Sequence, residues 1–262
     1  MATYLDRILA VHRAAAAADA RPLADLLDAA RGCPPARGFR AALTGGDPGR
    51  GRLAVIAEVK RRSPSKGDLA PGLVPEVLAK AYEDGGAACL SVLTDQEFFG
   101  GSAADLAEAR AATALPVLRK DFTVGEADVC DARLMGADAV LLIVAALSPP
   151  EVHRLLALAV DVGLDALVEV HDEVELDVAL SAGATMVGVN QRDLVTFEVD
   201  TGRAERVVSA IPGGVVKVAE SGIRGGADAR RLADAGFDAV LVGESLVSSP
   251  DPAAAIRGLR CS

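Results

Sequence analysis

Leu53-Ala-Val-Ile-Ala-Glu58-Val-Lys60 is an apolar run that ends in two opposite charges at i and i+2. In an extended chain those positions share one side, so Glu58 and Lys60 project together from one strand. The pattern recurs in Pro116-Val-Leu-Arg-Lys120-Asp, Ala166-Leu-Val-Glu169-Val, Val187-Gly-Val-Asn190-Gln-Arg192 and Val215-Val-Lys-Val-Ala-Glu220-Ser221-Gly222. Each short run finishes on polar residues, and a buried charge is costly unless it is paired or used. A parallel barrel whose strand ends converge on one site accounts for all of these stretches together.

Working outward, a unit of helix, glycine, small or acidic residue and apolar strand repeats. It reads Asp84-Gly-Gly-Ala-Ala-Cys-Leu-Ser-Val, Met135-Gly-Ala-Asp-Ala-Val-Leu-Leu, Val162-Gly-Leu-Asp-Ala-Leu-Val, Ala182-Gly-Ala-Thr-Met-Val-Gly and Ala235-Gly-Phe-Asp-Ala-Val-Leu. Glycine suits a helix C-cap with positive φ, and the apolar runs lack the alternation of a half-exposed strand. Strands are expected near 53–59, 88–93, 116–120, 138–144, 165–170, 186–190, 215–219 and 238–242, with a helix after each. The intervening stretches Val74–Asp84, Ser102–Ala111, Pro149–Val160, Asp228–Asp234 and Pro252–Gly258 carry helical patterning. Eight β/α units in 262 residues match a (β/α)8 TIM barrel, of roughly 250 residues. An open doubly wound sheet shares the alternation, but a Gly-x-Gly-x-x-Gly turn after the first strand is missing. Residues 1–50 form an N-terminal helical extension, with helices over Tyr4–Ala20 and Pro22–Ala30 and a Gly/Pro-rich connector from Gly45 to Gly49. The chain is expected to be a single domain, with residues 51–262 as the barrel.

The net charge of −10 and pI near 4.8 argue against a partner bound through a nucleic-acid backbone. No apolar run reaches the ~18–20 residues that cross a membrane, and the first residues lack a signal-peptide core. Cys33, Cys89, Cys130 and Cys261 have no Cys-x-x-Cys spacing and read as thiols in a reducing cytoplasm. His12, His153 and His171 are far apart, so no metal site is expected from them. Trp is absent, and no stacking platform for bases is evident.

Ser63-Pro-Ser65-Lys66 fits Ser-x-x-Lys, but the partner motifs of penicillin-recognising enzymes are missing and the context is a strand exit. In Lys60-Arg61-Arg62 only Lys60 alternates inward with Glu58, and the arginines read as a solvated pair. Ser221-Gly222 and Gly243 end the seventh and eighth strands, where barrels bind phosphate on loop amides. Glu244 would contribute its backbone N–H while its carboxylate points away.

Glu58-Val-Lys60-Arg-Arg-Ser63-Pro-Ser65-Lys66-Gly67, Leu93-Thr-Asp-Gln-Glu-Phe98-Phe99-Gly-Gly-Ser102 and Leu118-Arg-Lys120-Asp121-Phe122 together resemble the indole-3-glycerol-phosphate synthases. Leu167-Val-Glu169-Val170-His171, Val189-Asn190-Gln-Arg192-Asp193-Leu194 and Ala219-Glu220-Ser221-Gly222-Ile223 continue the match in order. The resemblance implies a carboxy-lyase of tryptophan biosynthesis. Its substrate is 1-(2-carboxyphenylamino)-1-deoxyribulose 5-phosphate, closed to indole-3-glycerol phosphate with loss of CO2 and water. It implies Lys120 as general acid, with a pKa shifted downward by partial desolvation. Lys60 would meet the substrate carboxylate and is a further candidate for the acid of the dehydration, with Glu58 as its base. Glu169 would stabilise the cationic intermediate and orient a lysine, or else transfer a proton; Asn190 would bond the sugar hydroxyl or the departing water, and Arg192 and Glu220 would hold the others in place. Phe99, Phe122 and Leu142 would wall the aryl ring, and Ser63, Ser221, Gly222, Gly243 and Glu244 would hold phosphate. No cofactor or metal is implied, and the partner is a small phosphorylated molecule. The resemblance leaves a monomer or weak oligomer, and association with other enzymes of the pathway, open. A Schiff-base aldolase using Lys120 or Lys60, a phosphoribosyl isomerase and a non-catalytic phosphosugar binder remain alternatives on the residues alone.

Overall fold

The computed structural model describes residues 3–45, 53–64 and 66–260, so most of the glycine/proline connector, Ser65 and Cys261 lie outside the described residues. Eight parallel strands close into a barrel: β1 (Ala54–Val59), β2 (Cys89–Leu93), β3 (Val117–Lys120), β4 (Ala139–Ile143), β5 (Asp165–Val170), β6 (Met186–Asn190), β7 (Val216–Glu220) and β8 (Ala239–Val242). β1 pairs with both β2 and β8, which removes any free edge. All eight expected strands are present to within a residue or so at each end. The seventh runs one residue further than expected and carries Glu220 inside the ladder, where Leu241 and Asn190 flank it in register.

Among the described residues three helices precede the barrel: α1 (Tyr4–Ala18), α2 (Leu23–Arg31) and α3 (Phe39–Thr44). The barrel helices are α4 (Pro75–Gly85), α5 (Ala103–Ala112), α6 (Glu126–Leu134), α7 (Pro149–Asp161), α8 (Glu173–Ser181), α9 (Arg203–Val208), α10 (Gly226–Asp234), α11 (Glu244–Val247) and α12 (Pro252–Arg260). The repeated glycines end their helices as expected, Gly86, Gly136, Gly163, Gly183 and Gly236 all having φ between +78° and +98°. The acidic residues after them also have a structural use. Asp138, fully buried, accepts the Val117 N–H at 2.8 Å, and Asp238 accepts the Lys217 N–H at 2.9 Å. These bonds tie neighbouring strands together at the end opposite the polar strand termini.

The extension spans both ends of the barrel. At the strands' N-terminal ends Phe39 is wholly buried, and the Arg37 and Arg40 backbone N–H groups donate to Asp138 and Asp165, each at 2.8 Å. This short α3 was not anticipated, its six residues being too few for a periodic signal. At the opposite end α1 starts with a Thr3–Asp6 capping box and buries Leu5 and Ile8. Tyr4 packs edge-on against Phe98 and Phe197, and the His12 Nε2 lies 2.9 Å from Asp95. Thus α1 braces the loops that follow β2 and β6.

Candidate active site

The polar strand ends meet in one cavity of about 350 Å³ at the C-terminal mouth of the barrel. Glu58 and Lys60 do share one side of the β1 exit, with Nζ 2.5 Å from Oε1. Across the mouth, the Lys120 Nζ lies 3.3 Å from Glu169 Oε2 and 3.7 Å from Glu220 Oε2. The Asn190 amide donates to Glu169 Oε1 at 3.0 Å, and its Oδ1 accepts the Arg192 backbone N–H at 3.0 Å. The Arg192 guanidinium also donates to the Phe197 carbonyl at 3.2 Å, anchoring the β6 loop.

Glu58, Glu169 and Glu220 are all nearly inaccessible, and for Glu169 and Glu220 burial and neighbouring charge decide the protonation. Burial and the Glu169 charge push Glu220 up to about 8. Burial opposes ionisation of Glu169 too, yet Lys120, His171 and Asn190 outweigh it and hold this carboxyl below its ordinary value. Lys120 departs from the expected downward shift. Burial does disfavour its ammonium, but Glu169, Glu220 and Glu58 more than offset that and raise its pKa. The expectation counted desolvation and missed that three carboxylates converge on one amine.

Ser63, Phe99, Phe122, Ser221, Gly222, Gly243 and Glu244 line the same cavity. Phe99 and Phe122 face each other at 6.2 Å between ring centroids. The Ser63 hydroxyl is buried and has no hydrogen-bond partner among the described residues. Ser221 and Gly222 both take positive φ, 66° and 73°, turning the chain sharply as β7 ends. The Glu244 carboxylate pairs with Lys66, which neutralises an anion that would otherwise repel phosphate. Lys66, discarded with its motif, therefore belongs to the pocket rim.

Leu142 is a correction: it is fully buried but does not line the cavity, whereas Leu141 and Ile143 do. Parallel neighbours in register share a face, and Glu169 is level with Ile143 while Leu142 is level with Val168. Arg61 and Arg62 are also not a solvated pair. Arg61 bonds Asp105 of α5 at 2.9 and 3.1 Å, and Arg62 bonds the Phe98 carbonyl at 3.2 Å, fastening the β1 loop to α5 and to the β2 loop. A short hairpin, Arg62–Ser63 against Gly67–Asp68, shapes that loop.

Gly188 went unnoticed in the sequence: a Cβ there would collide with the Glu220 carboxylate, so its absence makes room for that side chain. Leu93, Phe197, Thr201, Ile223 and Leu241 also line the cavity. Of these, Leu93 and Leu241 were accessible by register, since they sit level with Lys120 and Glu220. His12, Asp95 and Asp121 bring three possible ligand atoms within 4.8 Å, a grouping that histidine spacing did not reveal. Asp95 is already engaged by His12 and by the Phe98 and Phe99 N–H groups, and Asp121 by Arg119 at 3.0 Å. The trio reads as the clamp that docks α1.

A closed parallel barrel with paired lysines and carboxylates at the C-terminal ends of its strands defines a (β/α)8-barrel enzyme. The family model described as indole-3-glycerol phosphate synthase matches residues 5–259. Indole-3-glycerol phosphate synthase 2 of Streptomyces coelicolor is 54% identical over 239 residues, covering 91% of each chain. The indole-3-glycerol phosphate synthase of Mycolicibacterium smegmatis is 50% identical over 260 residues, 98% of this chain and 94% of that one. Among solved structures, thiamine phosphate pyrophosphorylase from Pyrococcus furiosus superposes with a TM-score of 0.61 at 20% identity, covering 81% of this chain and 96% of that one. This last likeness concerns the fold alone. The chain belongs to the indole-3-glycerol phosphate synthase family.

Proposed function

We propose that this chain closes 1-(2-carboxyphenylamino)-1-deoxyribulose 5-phosphate to indole-3-glycerol phosphate, releasing CO2 and water. The observation that carries the residue roles is the meeting of Lys120 with Glu169 and Glu220 in the cavity that also holds Glu58 and Lys60. Lys120, kept as an ammonium by its carboxylates, protonates the ketone oxygen as the aryl carbon attacks. The same charge state argues against a Schiff-base nucleophile, which must be a free amine. Lys60 holds the substrate carboxylate until CO2 departs. Glu58, bonded to Lys60, takes the proton released in dehydration. Glu169 stabilises the developing cation, Glu220 holds the hydroxyl, and Asn190 and Arg192 hold the sugar chain in register.

Phe99 and Phe122, with Ile143, form the apolar wall for the ring. Ser63, Ser221, Gly222, Gly243 and the Glu244 backbone receive the phosphate. The reaction balances without an oxidant or electron carrier, so no cofactor is invoked. Four cysteines without Cys-x-x-Cys spacing accord with a reducing, cytoplasmic setting, and the net charge of −10 favours a monomer or weak oligomer by self-repulsion. No described helix is long and apolar enough to cross a membrane. The test is direct: purified protein mixed with the substrate is expected to generate indole absorbance and fluorescence with release of one CO2 per indole. Absence of both overturns the proposal.

A further inference from the structure

Beyond Glu169 the β5 strand exits through Val170 into His171, which by alternation lies on the same side as Glu169. The His171 Nδ1 is 2.9 Å from Glu175 Oε2, and its backbone N–H donates to the same oxygen at 2.7 Å. A carboxylate only accepts, so Nδ1 carries a proton. The other ring nitrogen, Nε2, is buried, has no hydrogen-bond partner among the described residues and lies 3.7 Å from Glu169 Oε1. Two cavities meet at this pair. Glu169 lines the active-site cavity; His171 and Glu175 line a second one of about 340 Å³, with Asp172, Asp193, Arg203 and Arg206 around it.

The stoichiometry of ring closure creates a need for such a connection. At neutral pH the substrate enters with its carboxylate ionised. CO2 leaves as a neutral molecule, and its bonding electron pair stays with the ring. The ketone oxygen departs as water and so acquires two protons. The methylene carbon that enters the indole ring releases only one. Each turnover therefore draws one further proton from solvent.

Resting on the ring-closure reading above, we propose that His171 is a positioning and proton-relay residue, which returns that proton to Lys120 through Glu169 and is recharged from the second cavity. The His171 Nε2–H passes its proton to the ionised Glu169 carboxylate at Oε1, and rotation of the neutral carboxyl so formed hands that same proton to the amine, whose Nζ lies 3.3 Å from Oε2, restoring the carboxylate. The neutral ring keeps its Nδ1–H, and its bare Nε2 takes the next proton from water of the second cavity when that edge of the ring turns toward the space it lines. The groups facing the imidazole agree with this role. Burial disfavours its cation, but Glu175 on α8 and Glu169 on β5 outweigh burial and the opposing Arg203 on α9, so its pKa is raised.

His171→Ala is expected to lower kcat by roughly 10²-fold, the low end of what a positioned proton donor contributes, with KM unchanged. Added imidazole should restore kcat in proportion to its protonated fraction. A variant with wild-type kcat and wild-type pH profile overturns the relay, as does a loss that imidazole does not restore. NMR titration of His171 in wild type and Glu169→Gln gives a reading that needs no turnover. The histidine pKa is expected to fall in Glu169→Gln, and an unchanged value overturns the pairing. A wild-type protein without turnover would instead overturn the ring-closure reading, which separates the two failures.

Discussion

Replacing Lys120 with methionine keeps the apolar stem and removes the ammonium that Glu169 and Glu220 hold at 3.3 and 3.7 Å. If Lys120 is the general acid, turnover should fall by roughly 10²–10⁴-fold, and substrate binding should weaken far less, because Lys60 still meets the carboxylate. The same change leaves Glu169 buried without its cation, and breaking a buried ion pair costs about 3–5 kcal/mol. Asn190 and His171 remain on Glu169, so the lower end of that range is expected. The sign of the pH dependence follows from linkage. Glu169 has a depressed pKa when folded, so its contribution to stability is present above the unfolded carboxyl value and is lost as pH falls through the folded one. In Lys120→Met that depression is relieved, Glu169 can protonate, and the stability deficit should shrink on going from about pH 8 to about pH 5. The assays are single-turnover rates by indole fluorescence and urea unfolding at both pH values. A variant that turns over at the wild-type rate would refute the acid role and make Lys60 the candidate. A deficit that stays constant with pH would refute the electrostatic account of the pair.

Glu220 has its carboxyl raised from 4.5 to about 8 by burial and the Glu169 charge, so its stabilisation is greatest at low pH and is lost as pH rises through the folded value. Urea unfolding of Glu220→Gln, fixed in the neutral form, should show a flatter stability profile than wild type across that window. Glu58→Gln cannot accept a proton, so acid-quenched mixtures are expected to contain a species one water heavier than product, identified by mass spectrometry. Parallel slowing of CO2 release and product formation, with nothing accumulating, would reduce Glu58 to an orienting partner of Lys60. Inorganic phosphate or sulfate should inhibit competitively and raise Tm by mass action, and Gly222→Pro should raise KM strongly; no anion effect on either measure would argue against a phosphate site at β7 and β8.

The amino-acid sequence by itself determined the barrel, because alternation of helical patterning with short apolar runs is local information, and glycine at each helix end marks the boundary. It also marked Glu58, Lys60, Lys120, Glu169, Asn190 and Glu220, since polar residues ending apolar strands are conspicuous wherever the strands lead. Only the tertiary structure decided how those groups act on one another. Lys120 reads as a desolvated lysine until Glu58, Glu169 and Glu220, up to 100 positions away in sequence, are folded around it and reverse the direction of its shift. Leu142 reads as a wall residue until the pairing of Ile143 with Glu169 shows that the face belongs to its neighbour. Gly188 carries no visible signal until Glu220 occupies the space where a Cβ would stand. His171 is a lone histidine past a strand until folding sets its unpartnered nitrogen beside Glu169 and its other edge on a second cavity. Each of these properties depends on distances between residues remote in sequence, and closure of the barrel is what sets those distances.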